Sequence, residues 1–143
     1  MNHNLSVSES VIINADVKKV WDALTNPTKI KDYLYGTETV TDWKVGSPII
    51  FQGEYQGHKY KDHGMIVENK TNELLSYSYW SGFTGLEDKL ENYSTVTYTL
   101  KVIDANSTEF TWTQKGFKDE TGYNHSKSGM TEFLKSVKTV AER

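Results

Sequence analysis

The side chains best able to bind a metal ion, His58, Asp62 and His63, lie close together in the sequence. Imidazole and carboxylate groups are common ligands of zinc and iron, but they must converge on one point. Because Lys59–Val67 is predicted as a strand, residues five apart point to opposite faces, and the two histidines cannot converge. His58 and Asp62 share a face, yet two ligands make an incomplete site. We therefore predict no metal and no cofactor, and we interpret all three residues as solvated.

A second group of ionisable residues, Glu87, Asp88 and Glu91, has the composition of a carboxylate pair for acid–base chemistry. Such a pair needs one carboxyl group buried away from water, whereas this polar, glycine-containing segment predicts a solvated loop. His125 is expected just before the last helix, where polar side chains usually cap the helix or bind water. The sequence contains no nucleophile-elbow, phosphate-loop or dinucleotide-binding motif. We predict no catalytic residue, and enzymatic activity is left open but disfavoured.

The strongest positive signal is a row of aromatic side chains on predicted strands, ending in a polar residue. Phe110, Trp112 and Gln114 alternate with threonines and so share one face of a strand. A buried glutamine amide needs hydrogen-bond partners, which water or the polar group of a ligand in a cavity can supply. The alternative interpretation is that these side chains simply fill the core against the last helix. We take nine residues as candidate ligand-binding, cavity-lining positions: Trp21, Tyr77, Tyr79, Tyr98, Phe110, Trp112, Gln114, Met130 and Phe133.

The elements that would position these residues begin with a strand and two short helices. The β-branched run Val11–Ile13 predicts the strand, and Asp16 follows where a carboxylate caps a helix N-terminus. Apolar residues at helical spacing run through Val17–Leu24, which predicts the first helix. Pro27 then fits the first turn of a second helix, since the missing N–H has no partner there.

The middle of the chain alternates apolar and polar residues, as half-buried antiparallel strands do. Leu74–Trp80 and Thr95–Val102 show this alternation most clearly. For Lys59–Val67 the pattern leaves the inward face undecided, because Ile66 and both of its neighbours are apolar. The last helix, expected to begin around Tyr123–Ser126, is the only element long enough to cover one face of the sheet.

Composition narrows the class of protein. With 143 residues, the chain is expected to form one domain over residues 1–143. A net charge of −3 argues against nucleic acid or an anionic membrane as a partner. Cysteine is absent, which excludes disulfides and sites that use a thiolate. The sequence contains no apolar run of about eighteen residues, the length that would predict a membrane span. The N-terminal segment lacks the features of a secretory signal, so a cytoplasmic location is expected.

Five segments resemble one protein family in its order along the chain: ADVKKVWDALTNPTKIKDYL, DWKVGSPIIF, HGMIVENKTNELLSYSYW, TEFTWTQKGF and MTEFLKSVKTVAER. Together they are similar to the homologues of the heat-shock-protein-90 ATPase activator, within the START-like or SRPBCC superfamily. The resemblance implies an α+β helix-grip fold, in which a seven-stranded antiparallel sheet wraps around a long C-terminal helix and two short helices follow the first strand. It also implies an internal cavity, which in many superfamily members holds an apolar ligand.

Because members of this superfamily differ in activity, the implied fold leaves several functions open. The first is a non-enzymatic cytosolic domain whose cavity binds a small apolar or aromatic ligand. The second is a protein-interaction module related to chaperones or stress, and the third is a cyclase-like enzyme. The expected partners are accordingly a small apolar ligand, or a chaperone or other protein, and the chain is expected to be a monomer or a homodimer.

Overall fold

Seven strands and three helices make up the computed structural model, which describes all 143 residues. The strands are β1 (Asn2–Ile13), β2 (Glu38–Val40), β3 (Pro48–Tyr55), β4 (His58–Lys70), β5 (Leu74–Tyr79), β6 (Ser94–Asp104) and β7 (Ser107–Phe117), and the helices are α1 (Val17–Thr25), α2 (Pro27–Tyr33) and α3 (Glu120–Ala141). Residues 80–93 form the β5–β6 loop, which contains two short 3₁₀ turns. No helix combines the length and apolar composition that crossing a membrane requires.

Local sequence explains where the first two helices begin. Asp16 caps α1, and its Oδ1 atom accepts the N–H of Lys19 at 2.9 Å. Asn26 caps α2 in the same way, and Pro27 occupies the first turn, where its missing N–H leaves no hydrogen bond unmade. Both predicted helix starts are therefore confirmed.

The long helix α3 begins at Glu120, earlier than the predicted start around Tyr123–Ser126. The reason is a second aspartate cap: Asp119 accepts the N–H of Gly122 at 3.0 Å and so satisfies the first turn. As a result, His125 lies inside the helix and not before it, which corrects the prediction for this residue.

The seven strands form one sheet in the order β1-β7-β6-β5-β4-β3-β2. Every neighbouring pair is antiparallel. Strand β1 lies beside β7, so the N-terminal strand and the last hairpin form one end of the sheet. This arrangement, with two helices after the first strand and a long C-terminal helix, is the predicted α+β helix-grip fold.

The helix α3 covers the inner face of the sheet with one apolar stripe. Met130, Leu134 and Val137 are 5%, 2% and 0% exposed, as expected for residues three or four apart on a helix. They belong to one cluster of 24 buried hydrophobic residues that draws on the helices and the sheet. The C-terminal half of α3 therefore packs into the core, and the N-terminal half lies over the aromatic row.

The inward face of β4, which the sequence leaves undecided, is the face of Ile66. Ile66 is 1% exposed, whereas Met65 and Val67 are 51% and 47% exposed. Since side chains alternate along a strand, Tyr60 and Asp62 share the face of Ile66, and a β-bulge just beyond Ile66 ends this alternation. Asp62, four residues before Ile66, is therefore on the inner face of the sheet.

Gly64 lies in close backbone contact with β5. A Cβ atom at this position would lie 1.7 Å from the carbonyl oxygen of Ser78. The next N–H, that of Met65, bonds to the Ser78 side chain at 3.0 Å. Only glycine fits such an approach without moving a backbone.

Candidate functional site

A cavity of about 370 Å³ lies between the inner face of the sheet and the N-terminal half of α3. Its wall comes from the end of α2, from strands β3 to β7, and from one face of α3. Seven of the nine candidate positions lie in this wall: Tyr77, Tyr79, Tyr98, Trp112, Gln114, Met130 and Phe133. The alternation of the strands thus brings most of the aromatic row to one place.

Two of the nine candidates, Trp21 and Phe110, do not line the cavity, which corrects their assignment. Phe110 is 0% exposed and packs edge-on against Tyr98, with ring centroids 5.6 Å apart. It lies in the core near the start of β7, where Thr108 donates a hydrogen bond to the carbonyl oxygen of Ala15. Trp21 is half-buried on α1 and packs against the core from outside the cavity.

Two tyrosine hydroxyl groups form a polar pair in the cavity wall. The Oη atoms of Tyr77 and Tyr98 are 2.8 Å apart, and their rings meet edge to face. Burial raises the pKa of Tyr98 to about 12 and also raises the pKa of Tyr77. Both hydroxyl groups therefore keep their protons at neutral pH and serve as hydrogen-bond donors and acceptors.

Asp62 is a site residue that the sequence analysis misplaces, because it interprets the side chain as solvated. The residue is 7% exposed and lines the cavity. The Oη atom of Tyr79 donates to its Oδ2 atom at 2.6 Å. Burial and the adjacent Asp62 carboxylate raise the pKa of Tyr79, so the tyrosine keeps its proton and remains the donor. The inward register of Ile66, four residues later, is the signal that would have located Asp62.

Gln114 lies at the boundary between two spaces. Its Nε2 atom donates to Oγ of Ser94 at 3.3 Å, and its side chain is half-buried. Besides the cavity, it lines a neighbouring void of about 360 Å³, whose wall also contains Tyr79 and Ser126. The amide can therefore reach a molecule in either space.

One family model covers the three helices, every strand except β1, and the whole cavity wall. Residues 14–142 match the family model described as activator of Hsp90 ATPase homolog 1-like protein. The chain belongs to this family. No curated protein matches the chain.

Solved structures also share the fold of this chain. A protein from Cytophaga hutchinsonii, whose structure was determined in solution, is 38% identical in sequence and has a TM-score of 0.81. The similarity covers 96% of this chain and 94% of that protein. The Aha1 dimer from Colwellia psychrerythraea is 17% identical, with a TM-score of 0.72 and 96% of each chain covered. An HSP90 activator from Plasmodium falciparum is also 17% identical, with a TM-score of 0.74 and 95% of each chain covered. The last two similarities concern the fold alone.

Asp88 ties the β5–β6 loop to the outer face of the sheet. Its Oδ2 atom lies 3.0 Å from Nε2 of His63, and its Oδ1 atom accepts a short hydrogen bond from the Tyr93 hydroxyl. The ring of His63 packs beside Trp80, with centroids 5.3 Å apart. Asp88 is thus exposed, as the loop prediction states, but it holds specific partners.

The remaining ionisable candidates are spread over the surface. Glu87 pairs with Lys89 at 3.0 Å, and Glu91 is exposed in the same loop. His58 is exposed at the start of β4, and His125 is exposed at the mouth of the cavity. The three residues first considered as metal ligands are therefore separated. His58 faces solvent, Asp62 faces the cavity, and His63 faces the β5–β6 loop.

Proposed function

We propose that this chain is a non-enzymatic binding domain whose cavity takes up a small apolar or aromatic ligand, and that it works in the cytoplasm. The observation that carries the proposal is the composition of the cavity wall. Ten of its sixteen residues are hydrophobic, and seven of those ten are aromatic. The volume of about 370 Å³ lies within the range of about 300–1,000 Å³ that is typical of small-molecule sites.

The polar groups of the wall are few and suit recognition better than proton transfer. The hydroxyl groups of Tyr77 and Tyr98 are paired with each other and hold their protons because burial raises the pKa of both. Gln114 offers a neutral amide. A general acid or base at neutral pH needs a pKa near 7, which these groups lack. The carboxylate and imidazole side chains of the wall, Asp62 and His125, form no ion pair with each other. The paired tyrosines and the amide therefore favour binding without chemical change.

The test obstructs the cavity from α3 while leaving the fold intact. Gly129 lies on the cavity face of α3, and a Cβ atom there would meet nothing within 4 Å. We expect Gly129→Phe to place its ring in the open space and to weaken binding of N-phenylnaphthylamine, a neutral fluorescent probe, by about tenfold or more, since each 1.4 kcal/mol of lost contact is tenfold in affinity. Fluorescence titration of the two proteins measures this ratio.

The matched control is Gly129→Ala. It also replaces the helical glycine, without filling the cavity, and it should raise the free energy of unfolding by about 0.5–1 kcal/mol. Its affinity for the probe should equal that of the unchanged protein. Equal affinity of Gly129→Phe would show that the probe binds outside the cavity, and the proposal would then be wrong.

Family membership supports a second candidate, a protein-interaction module that acts on a chaperone. The HSP90 activator from Plasmodium falciparum shares the fold, and the Aha1 dimer from Colwellia psychrerythraea suggests self-association as a further property to measure. This candidate would replace the first if the chain raised the ATPase rate of a purified Hsp90 and bound no apolar probe.

A further inference from the structure

We propose that the ligand carries a protonated amine and that Asp62 binds this group inside the aromatic cavity. This inference rests on the proposed binding function and adds the chemical class of the ligand. It draws on three observations: the charge of the cavity wall, the hydrogen bonding of Asp62, and the aromatic rings around it.

The cavity wall contains one acidic side chain and no lysine or arginine. The acidic residue is Asp62, one of the sixteen that line the cavity. The only basic side chain in the set is that of His125, which is exposed at the mouth. A ligand that enters therefore meets a negative site in an otherwise apolar chamber, which favours a cation.

Asp62 has no cationic partner within the protein. None of the six ion pairs of the chain includes it, although it is 7% exposed. Buried carboxylates are usually paired, since an unpaired charge in an apolar setting is costly. The hydroxyl of Tyr79 supplies one hydrogen bond, to Oδ2, whereas a carboxylate offers about four acceptor sites. An ammonium group has the charge and the donors to fill the others.

Aromatic rings stand beside the carboxylate. Phe51 is directly opposite Asp62 in the pairing of β3 with β4, so both side chains point into the same space. The Phe51 ring centroid lies 5.6 Å from that of Tyr77 and 5.9 Å from that of Tyr79. The faces of such rings attract ammonium groups when the site is sheltered from water. Carboxylate and rings together make a site that fits an organic cation better than a neutral molecule.

The alternative role for Asp62 is structural, as the acceptor that fixes the Tyr79 ring. The two roles predict different binding, because a structural acceptor does not distinguish a charged ligand from a neutral one of the same shape. Calorimetric titration with naphthylmethylamine, which is protonated at neutral pH, and with naphthylmethanol, its neutral counterpart, separates them. We expect the amine to bind about tenfold or more tightly, from charge-assisted hydrogen bonding and cation–π attraction.

Variants locate the effect at Asp62. Asp62→Asn should remove the preference for the amine while keeping affinity for the alcohol. Glu68→Gln is the matched control, because it removes one negative charge from an exposed position of the same strand, outside the cavity wall. It should keep the preference. Tyr79→Phe removes the hydrogen bond that Asp62 accepts within the protein and should keep or strengthen the preference. If Asp62→Asn does not fold, loss of the preference in Tyr79→Phe would overturn the role of Asp62.

The outcomes distinguish failure of the amine proposal from failure of the binding function. Equal affinity of the unchanged protein for amine and alcohol would overturn the amine proposal and leave the binding function standing. A preference that persists in folded Asp62→Asn would overturn the role of Asp62. If neither naphthyl compound binds and the neutral probe also fails, the binding function and this inference are both wrong.

Discussion

Phe110→Ala is expected to lower the free energy of unfolding by about 3–5 kcal/mol, the usual cost of deleting a fully buried phenylalanine ring. The side chain is 0% exposed and packs edge-on against Tyr98 in the core. Phe110 does not belong to the cavity wall. Urea unfolding followed by circular dichroism measures the change.

Phe133→Ala is the matched control for this prediction. Phe133 is half-buried in the cavity wall, with its ring edge-on to Tyr33 at 6.0 Å and to Trp112 at 6.2 Å. Its removal should cost clearly less stability than that of Phe110 and should change the affinity for N-phenylnaphthylamine. If instead Phe110→Ala changed probe binding and cost less than about 1 kcal/mol, the assignment of Phe110 to the core would be wrong.

Gly64→Ala is expected to destabilise the protein by about 3 kcal/mol or more, or to prevent folding, because overpacking against a backbone atom cannot be relieved by a side-chain rotation. The new Cβ atom would start 1.7 Å from the carbonyl oxygen of Ser78, so β4 and β5 would have to separate. Thermal unfolding of the variant, or its yield as soluble protein, measures the effect.

Gly129→Ala provides the comparison for Gly64→Ala, since a Cβ atom at Gly129 meets nothing within 4 Å. The same chemical change should therefore stabilise the protein at one glycine and strongly destabilise it at the other. Similar stabilities of the two variants would mean that β4 and β5 are further apart at Gly64 than the structure places them.

The sequence predicts the fold well where the signals are local. Asp16 and Pro27 mark helix starts because a cap and a first-turn proline act through neighbouring backbone groups. The start of α3 is not predicted correctly because the first turns after Asp119 are polar and lack apolar residues at helical spacing. The seven-stranded antiparallel sheet is what the family resemblance implies, and the order of its strands comes from the structure, since strand patterns alone do not fix which strands are neighbours.

The site is predicted in part, for a physical reason. Alternation along a strand tells which face a side chain takes, so Trp112 and Phe110 look alike in the sequence. Alternation does not tell how much of that face the helix covers along the sheet. The extent of this cover determines that Trp112 lines the cavity while Phe110 is buried in the core. Asp62 is missed because the apolar residues on both faces of β4, Ile66 among them, hide the inward register.

The most direct test of the binding function is the location of a bound probe. Amide chemical shifts of isotopically labelled protein can be followed by nuclear magnetic resonance during titration with N-phenylnaphthylamine. We expect the changes to concentrate on Tyr77, Tyr98 and Trp112 and on the cavity face of α3 around Gly129. Changes confined to exposed apolar residues such as Leu90, or no changes at saturating probe, would contradict the proposal that this cavity binds a ligand.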